Sequence, residues 1–106
     1  MGSQPDPITT VTITNAVANC TQVETIGYSA GSITVNGDSG GLDLYALTTS
    51  GGTATPLNNT AGTQVTIAVT NTNTFELPPQ VFAAPYVKFV DNANTSCTGT
   101  VYLVKK

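Results

Sequence analysis

Few side chains in this sequence can do chemistry, and their spacing limits what that chemistry is. Asp38-Ser39-Gly40 is a triplet with which paired chains can bring two carboxylates together to share one proton. Its flanks argue against that use. Such an Asp directly follows an apolar strand, whereas Asn36-Gly37 precede it here, and Gly41-Leu42 stand where Ala-Asp would follow. The late apolar-Ile-Leu-Gly partner segment is missing too, so the triplet reads as a turn. Asn36, Asp38 and Asp43 gather hard oxygen ligands of the calcium-binding type. Their spacing fits no EF-hand loop, and Asn and Asp in turns usually bond their own backbone. Nucleophilic catalysis needs a base beside the nucleophile. The chain has no His, and Lys88 lies in an apolar strand pattern. The six acids fall mostly in separate turns and there is no Trp to stack a sugar, so paired-carboxylate glycoside cleavage is not expected. The expectation is a protein without enzyme activity, metal or cofactor.

Cys20 and Cys97 are the only cysteines, and without His they cannot complete a zinc site. Each sits in a polar turn. A disulfide between them would tie the first part of the fold to the last hairpin, whereas two unpaired thiols are ordinary for a chain made in the cytosol. Both readings stand. Asn19-Cys20-Thr21, Asn58-Asn59-Thr60 and Asn94-Thr95-Ser96 fit the glycosylation acceptor pattern, which arises readily by chance in a chain this rich in Asn and Thr. Tyr28, Tyr45, Tyr86 and Tyr102 are candidates for a sugar platform or a protein-contact patch. Tyr45, Tyr86 and Tyr102 fall opposite the apolar phase of their strands or near its edge. Protein contact is favoured, because a sugar cleft usually also offers carboxylates or Trp.

The elements that must position these residues are strands. Charged residues make up 8% of the 106 residues, against roughly 25% in an ordinary soluble domain. Val11 and Ile13 alternate with Thr10, Thr12 and Thr14. The same period of two recurs around Ile33 and Val35, Leu42 and Leu44, Val65 to Val69, Phe75 and Leu77, Val87 and Phe89, and Val101 and Leu103. A further strand is expected within residues 22–28. The outward partner is usually Thr, whose branched side chain suits a half-buried pleat. Gly- and Asn-rich turns at residues 36–41, 50–53, 58–62 and 91–94 separate the runs. Pro78, Pro79 and Pro85 bracket a segment that crosses between sheets or follows an edge. Helical periodicity is absent. The spacing predicts one all-β domain: a single jelly-roll-like or Ig-like β-sandwich of about seven to eight antiparallel strands over residues 11–106. An extended arm over residues 1–10 precedes it. Area scaling gives roughly 5,500 Å² of accessible surface once folded, enough burial for an unstapled core.

Function classes fall away on charge. The net charge is −3 and Lys88, Lys105 and Lys106 are the only cations, so no basic surface serves nucleic acid or anionic lipid. No run approaches the ~18 apolar residues of a membrane span. A signal peptide is not visible in residues 1–10.

Pro85-Tyr86-Val87-Lys88-Phe89-Val90, a polar loop, and Gly99-Thr100-Val101-Tyr102-Leu103-Val104-Lys105 form a hairpin pattern. Upstream stand Gly31-Ser32-Ile33-Thr34-Val35-Asn36-Gly37, Asp43-Leu44-Tyr45 and Thr55-Pro56-Leu57. Together, from Ile8 onward, these resemble small bacteriophage virion β-sandwich proteins of the capsid decoration (cement) or tail and fibre accessory type. The Trp often found before Pro-Leu in that pattern is lacking. The resemblance implies a jelly-roll-like sandwich, no catalytic residues, and a place on the capsid surface of a virion after synthesis in the host cytoplasm. The implied partners are the major capsid protein or other virion subunits, with self-association and a trimer favoured. Gln4, Pro5, Asp6, Pro7 and Ile8 of the arm, with Tyr45, Tyr86 and Tyr102, are the expected interface residues. The alternative is a carbohydrate-binding or adhesin module of a tail fibre or bacterial surface protein.

Overall fold

Alternation of Thr with Val and Ile decides the first strand, β1 (Ile8–Ile13), which buries Val11 and Ile13 and turns Thr10 and Thr12 outward. The fold is seen in a computed structural model that describes residues 7–36, 41–69, 73–92 and 97–105. The other strands are β2 (Val23–Glu24), β3 (Tyr28–Asn36), β4 (Leu42–Leu47), β5 (Thr55–Pro56), β6 (Thr66–Ile67), β7 (Asn73–Glu76), β8 (Tyr86–Asp91) and β9 (Cys97–Lys105). Two 3-10 turns, Val17–Asn19 and Pro79–Ala83, are the only helical segments among the described residues.

The strands form two antiparallel sheets. One has the order β1-β9-β3-β7; the other runs β2-β8-β4-β5, with β6 also paired to β4. The chain is all-β and the two sheets pack as a β-sandwich. Between them lie Val11, Ile13, Ile33, Val35, Val101 and Leu103 from the first sheet and Leu42, Leu44, Val87 and Phe89 from the second. Accessible surface is 5670 Å², close to that expected of one fully folded domain of this size. Each of these side chains contributes on the order of 2 kcal/mol by leaving water.

The Gly and Asn clusters at residues 50–53 and 58–62 form turns, and those at 36–41 and 91–94 lie partly outside the described residues. In the loop between β5 and β6, Asn59 Oδ1 accepts from the Ala61 and Thr63 N–H groups, and Gly62 takes φ +82°. The Pro-bracketed segment carries the chain from β7 in one sheet to β8 in the other.

Several expectations are corrected. Nine strands are present among the described residues, because short β5 and β6 share one edge of β4. The sandwich begins earlier than residue 11. Ile8, Thr9 and Thr10 belong to β1, where they pair with Tyr102, Val101 and Thr100. Thr carries strong strand propensity, and β9 offers a full-length partner. The strand expected within residues 22–28 shrinks to β2, because Thr25–Tyr28 closes a turn with Gly27 at φ +86°. Leu47 and Val90, on the outward phase of their strands, are buried. Near Val90 the 3-10 turn at Val17–Asn19 packs over β8, and Lys88 Nζ donates to the Val17 carbonyl at 3.1 Å. Alternation cannot register a loop that covers the outer side of a sheet.

Candidate interaction face

The first sheet presents its outer side as rows of side chains in which threonine predominates. Strand register sets the rows. Thr10 lies opposite Thr100, Thr100 opposite Thr34, and Thr34 opposite Thr74, so one row of four threonines crosses β1, β9, β3 and β7. Below it Thr12 stands opposite Thr98. Above it run Ile8, Tyr102, Ser32 and Glu76, and then Val104 opposite Ala30. Neighbours sit about 4.8 Å apart across strands and about 6.7 Å apart along them. Thr34 and Thr74 share a hydroxyl–hydroxyl bond of 2.8 Å. Glu76 is the only charged side chain in these rows.

One end of the face is apolar. Ile8 is 59% exposed, Tyr102 50% and Val104 42%. These are large side chains for so much water contact, and they adjoin one another through the Ile8–Tyr102 pair. The backbone fixes this end. The Pro7 carbonyl accepts from the Leu103 N–H at 2.7 Å, which carries the β1–β9 ladder one residue past the strand. At the other end of β1 the free edge is held by Thr21, whose N–H donates to the Thr12 carbonyl at 3.2 Å and whose hydroxyl accepts from the Thr12 N–H at 2.9 Å. Gly31 allows β3 to approach β9 at the Tyr102 end: a Cβ at that position would collide with the Tyr102 carbonyl oxygen.

The structure divides the expected interface residues. Pro7, Ile8 and Tyr102 come together on the first sheet. Tyr45 and Tyr86 lie on the second sheet, both half-buried, with Tyr45 opposite Lys88 and Tyr86 opposite Leu47. They belong to the other side of the sandwich and form no patch with Tyr102. Tyr28 is fully buried and structural. Gln4, Pro5 and Asp6 lie outside the described residues, as do Asp38-Ser39-Gly40 and Asn94-Thr95-Ser96. Asp43, the described acid of the Asn36, Asp38 and Asp43 group, accepts from Asn92 Nδ2 at 3.3 Å.

Cys20 and Cys97 are both buried and both free thiols in this structure. Burial, then the Asp91 carboxylate, then Cys20 push the Cys97 thiol above the usual range. Among the described residues no pocket is present, and no three His, Cys, Asp or Glu side chains are placed to hold a metal. Comparison with protein families, with curated proteins and with solved structures gives no match to this chain.

Ala30, Val104 and the threonine row are absent from the interface expected from sequence. The alternation of Thr was visible. Which threonines become neighbours depends on strand order, and alternation does not specify order.

Proposed function

We propose that this chain is a virion structural protein, a capsid decoration or cement module. It lies against capsid subunits through the outer face of the β1-β9-β3-β7 sheet and self-associates. The observation that carries the reading is the uncharged threonine face ending in exposed Ile8, Tyr102 and Val104. Threonine offers a methyl and a hydroxyl at once, so such a face can pack against a protein surface and hydrogen-bond to it without burying charge. Aromatic and aliphatic anchors grouped at one end match the way binding energy concentrates in interfaces.

Size favours self-association. Four strands of about six residues make a face of roughly 300–400 Å². A stable interface buries about 800 Å² on each partner. One face alone binds weakly, and several copies held together gain by multivalency.

The test is co-sedimentation of the purified protein with empty shells of the virus that carries its gene. Saturable binding is expected, with Ile8→Asp or Tyr102→Asp weakening it at least tenfold while thermal stability is kept. Absence of binding, or binding indifferent to both substitutions, would overturn the reading. Clean saturable binding to a glycan array without shell binding would replace it with the carbohydrate-binding alternative.

A further inference from the structure

Three segments converge at one end of the sandwich, away from the Ile8 and Tyr102 end of the proposed docking face. The last residue of β1, Ile13, lies directly opposite Cys97, the first residue of β9. The next residue, Thr14, donates its N–H to Cys20 Sγ at 3.4 Å, and its carbonyl accepts from the same sulfur at 3.4 Å. The Thr14 carbonyl also accepts from the Asp91 N–H at 2.8 Å, which draws in the end of β8. Cys20 is therefore anchored to the residue that follows Cys97's strand partner. Both cysteines are buried, at 6% and 8% exposure. The influence of Cys20 and Asp91 on the Cys97 proton fits this proximity.

We propose that Cys20 and Cys97 are a dithiol–disulfide pair, closed by a low-molecular-weight disulfide such as oxidised glutathione, and that closure staples the loop after β1 to the start of β9. The chemistry balances. Cys20, as thiolate, attacks one sulfur of the oxidised glutathione. That S–S bond breaks, one glutathione leaves as thiolate and takes up the proton Cys20 released, and a mixed disulfide remains on Cys20. Cys97 then gives up its proton, its sulfur attacks the Cys20 sulfur, and the second glutathione leaves and accepts that proton. Two protein thiols are oxidised, and one small disulfide is reduced to two thiols. Cys20 goes first because burial and the Asp91 charge keep Cys97 protonated, and the thiolate is the attacking species. Closure requires Cα atoms within about 7 Å. The adjustment falls on residues 14–20, whose 3-10 turn has no side-chain cap.

The staple encloses most of the chain, and long enclosed loops give the larger stabilisations. The experiment exposes the folded, full-length protein to oxidised glutathione and reads non-reducing peptide maps and thermal midpoints. The expected product is a Cys20–Cys97 linked peptide pair, lighter by two hydrogens. Its midpoint should lie roughly 10 °C above that of the reduced protein. Cys97→Ser should accumulate glutathione on Cys20, and Cys20→Ser should react more slowly at Cys97. A folded protein that stays a free dithiol under conditions that link the urea-unfolded chain would overturn the proposal. So would a linked protein with an unchanged midpoint. Shell binding plays no part in these readouts, so failure here leaves the proposed function standing, and the reverse also holds.

Discussion

Tyr102 has Ile8 on one flank and Ser32 on the other, and half of it faces water. It contributes little to the core, so Tyr102→Ala should change unfolding free energy by no more than about 1 kcal/mol, measured by urea denaturation. Gly31 behaves in the opposite way. It lies on the inner side of the same sheet, opposite Leu103, and a Cβ there meets the Tyr102 carbonyl and crowds Leu103 and Leu77. Gly31→Ala should cost about 1–3 kcal/mol, because the sheet must open to accept it. Cys97 adds a pH dependence. Its folded pKa is raised, so above the ordinary thiol value of about 8.5 the unfolded chain sheds the proton first. The Cys97 contribution to stability is complete at neutral pH and is lost as pH rises through the folded value. Cys97→Ser should flatten that alkaline decline in reduced protein, as followed by thermal midpoints between neutral and alkaline pH. Residue identity alone did disclose part of this: Tyr102 on an outward phase was legible from its neighbours Val101 and Leu103. The separation of Tyr102 from Tyr45 and Tyr86 was not, since all three share one local pattern and differ only in which sheet receives their strand.

At the scale of elements, β1 and β9 carry the face. Local alternation predicted both strands, and the two-residue period placed Val11, Ile13, Val101 and Leu103 inside. It could not say that the first and last strands pair along the whole of β1, which is a long-range choice made by the sheet. In sequence, residues 8–10 look like part of an extended arm until β9 supplies their partner. This gives a graded truncation test. Removing residues 2–6 should leave the ladder from Pro7 onward and keep the thermal midpoint. Removing residues 2–10 deletes three cross-strand pairs and the Pro7–Leu103 bond, and the midpoint should fall by roughly 5–15 °C. Equal midpoints for the two truncations would show that Ile8, Thr9 and Thr10 add nothing to the sheet.

Over the whole molecule, the two sheets differ in what they present. The first shows a face with Glu76 as the one charged side chain in its described rows; Tyr45, Tyr86, Lys88 and the Asp43–Asn92 contact belong to the second. A net charge of −3 with three cations in all gives the proposed docking little long-range attraction to draw on. Docking driven by methyls, hydroxyls and a few apolar anchors should therefore change less than about twofold when salt is raised to about 0.5 M. The most direct measurement is shell occupancy, by quantitative sedimentation, of two variants that each add lysine to an exposed threonine. Thr100→Lys lies in the middle of the threonine row; Thr66→Lys lies on β6 in the opposite sheet. The proposed docking predicts at least a tenfold loss of affinity for Thr100→Lys and none for Thr66→Lys. Equal occupancy of the two variants, or loss confined to Thr66→Lys, would contradict it.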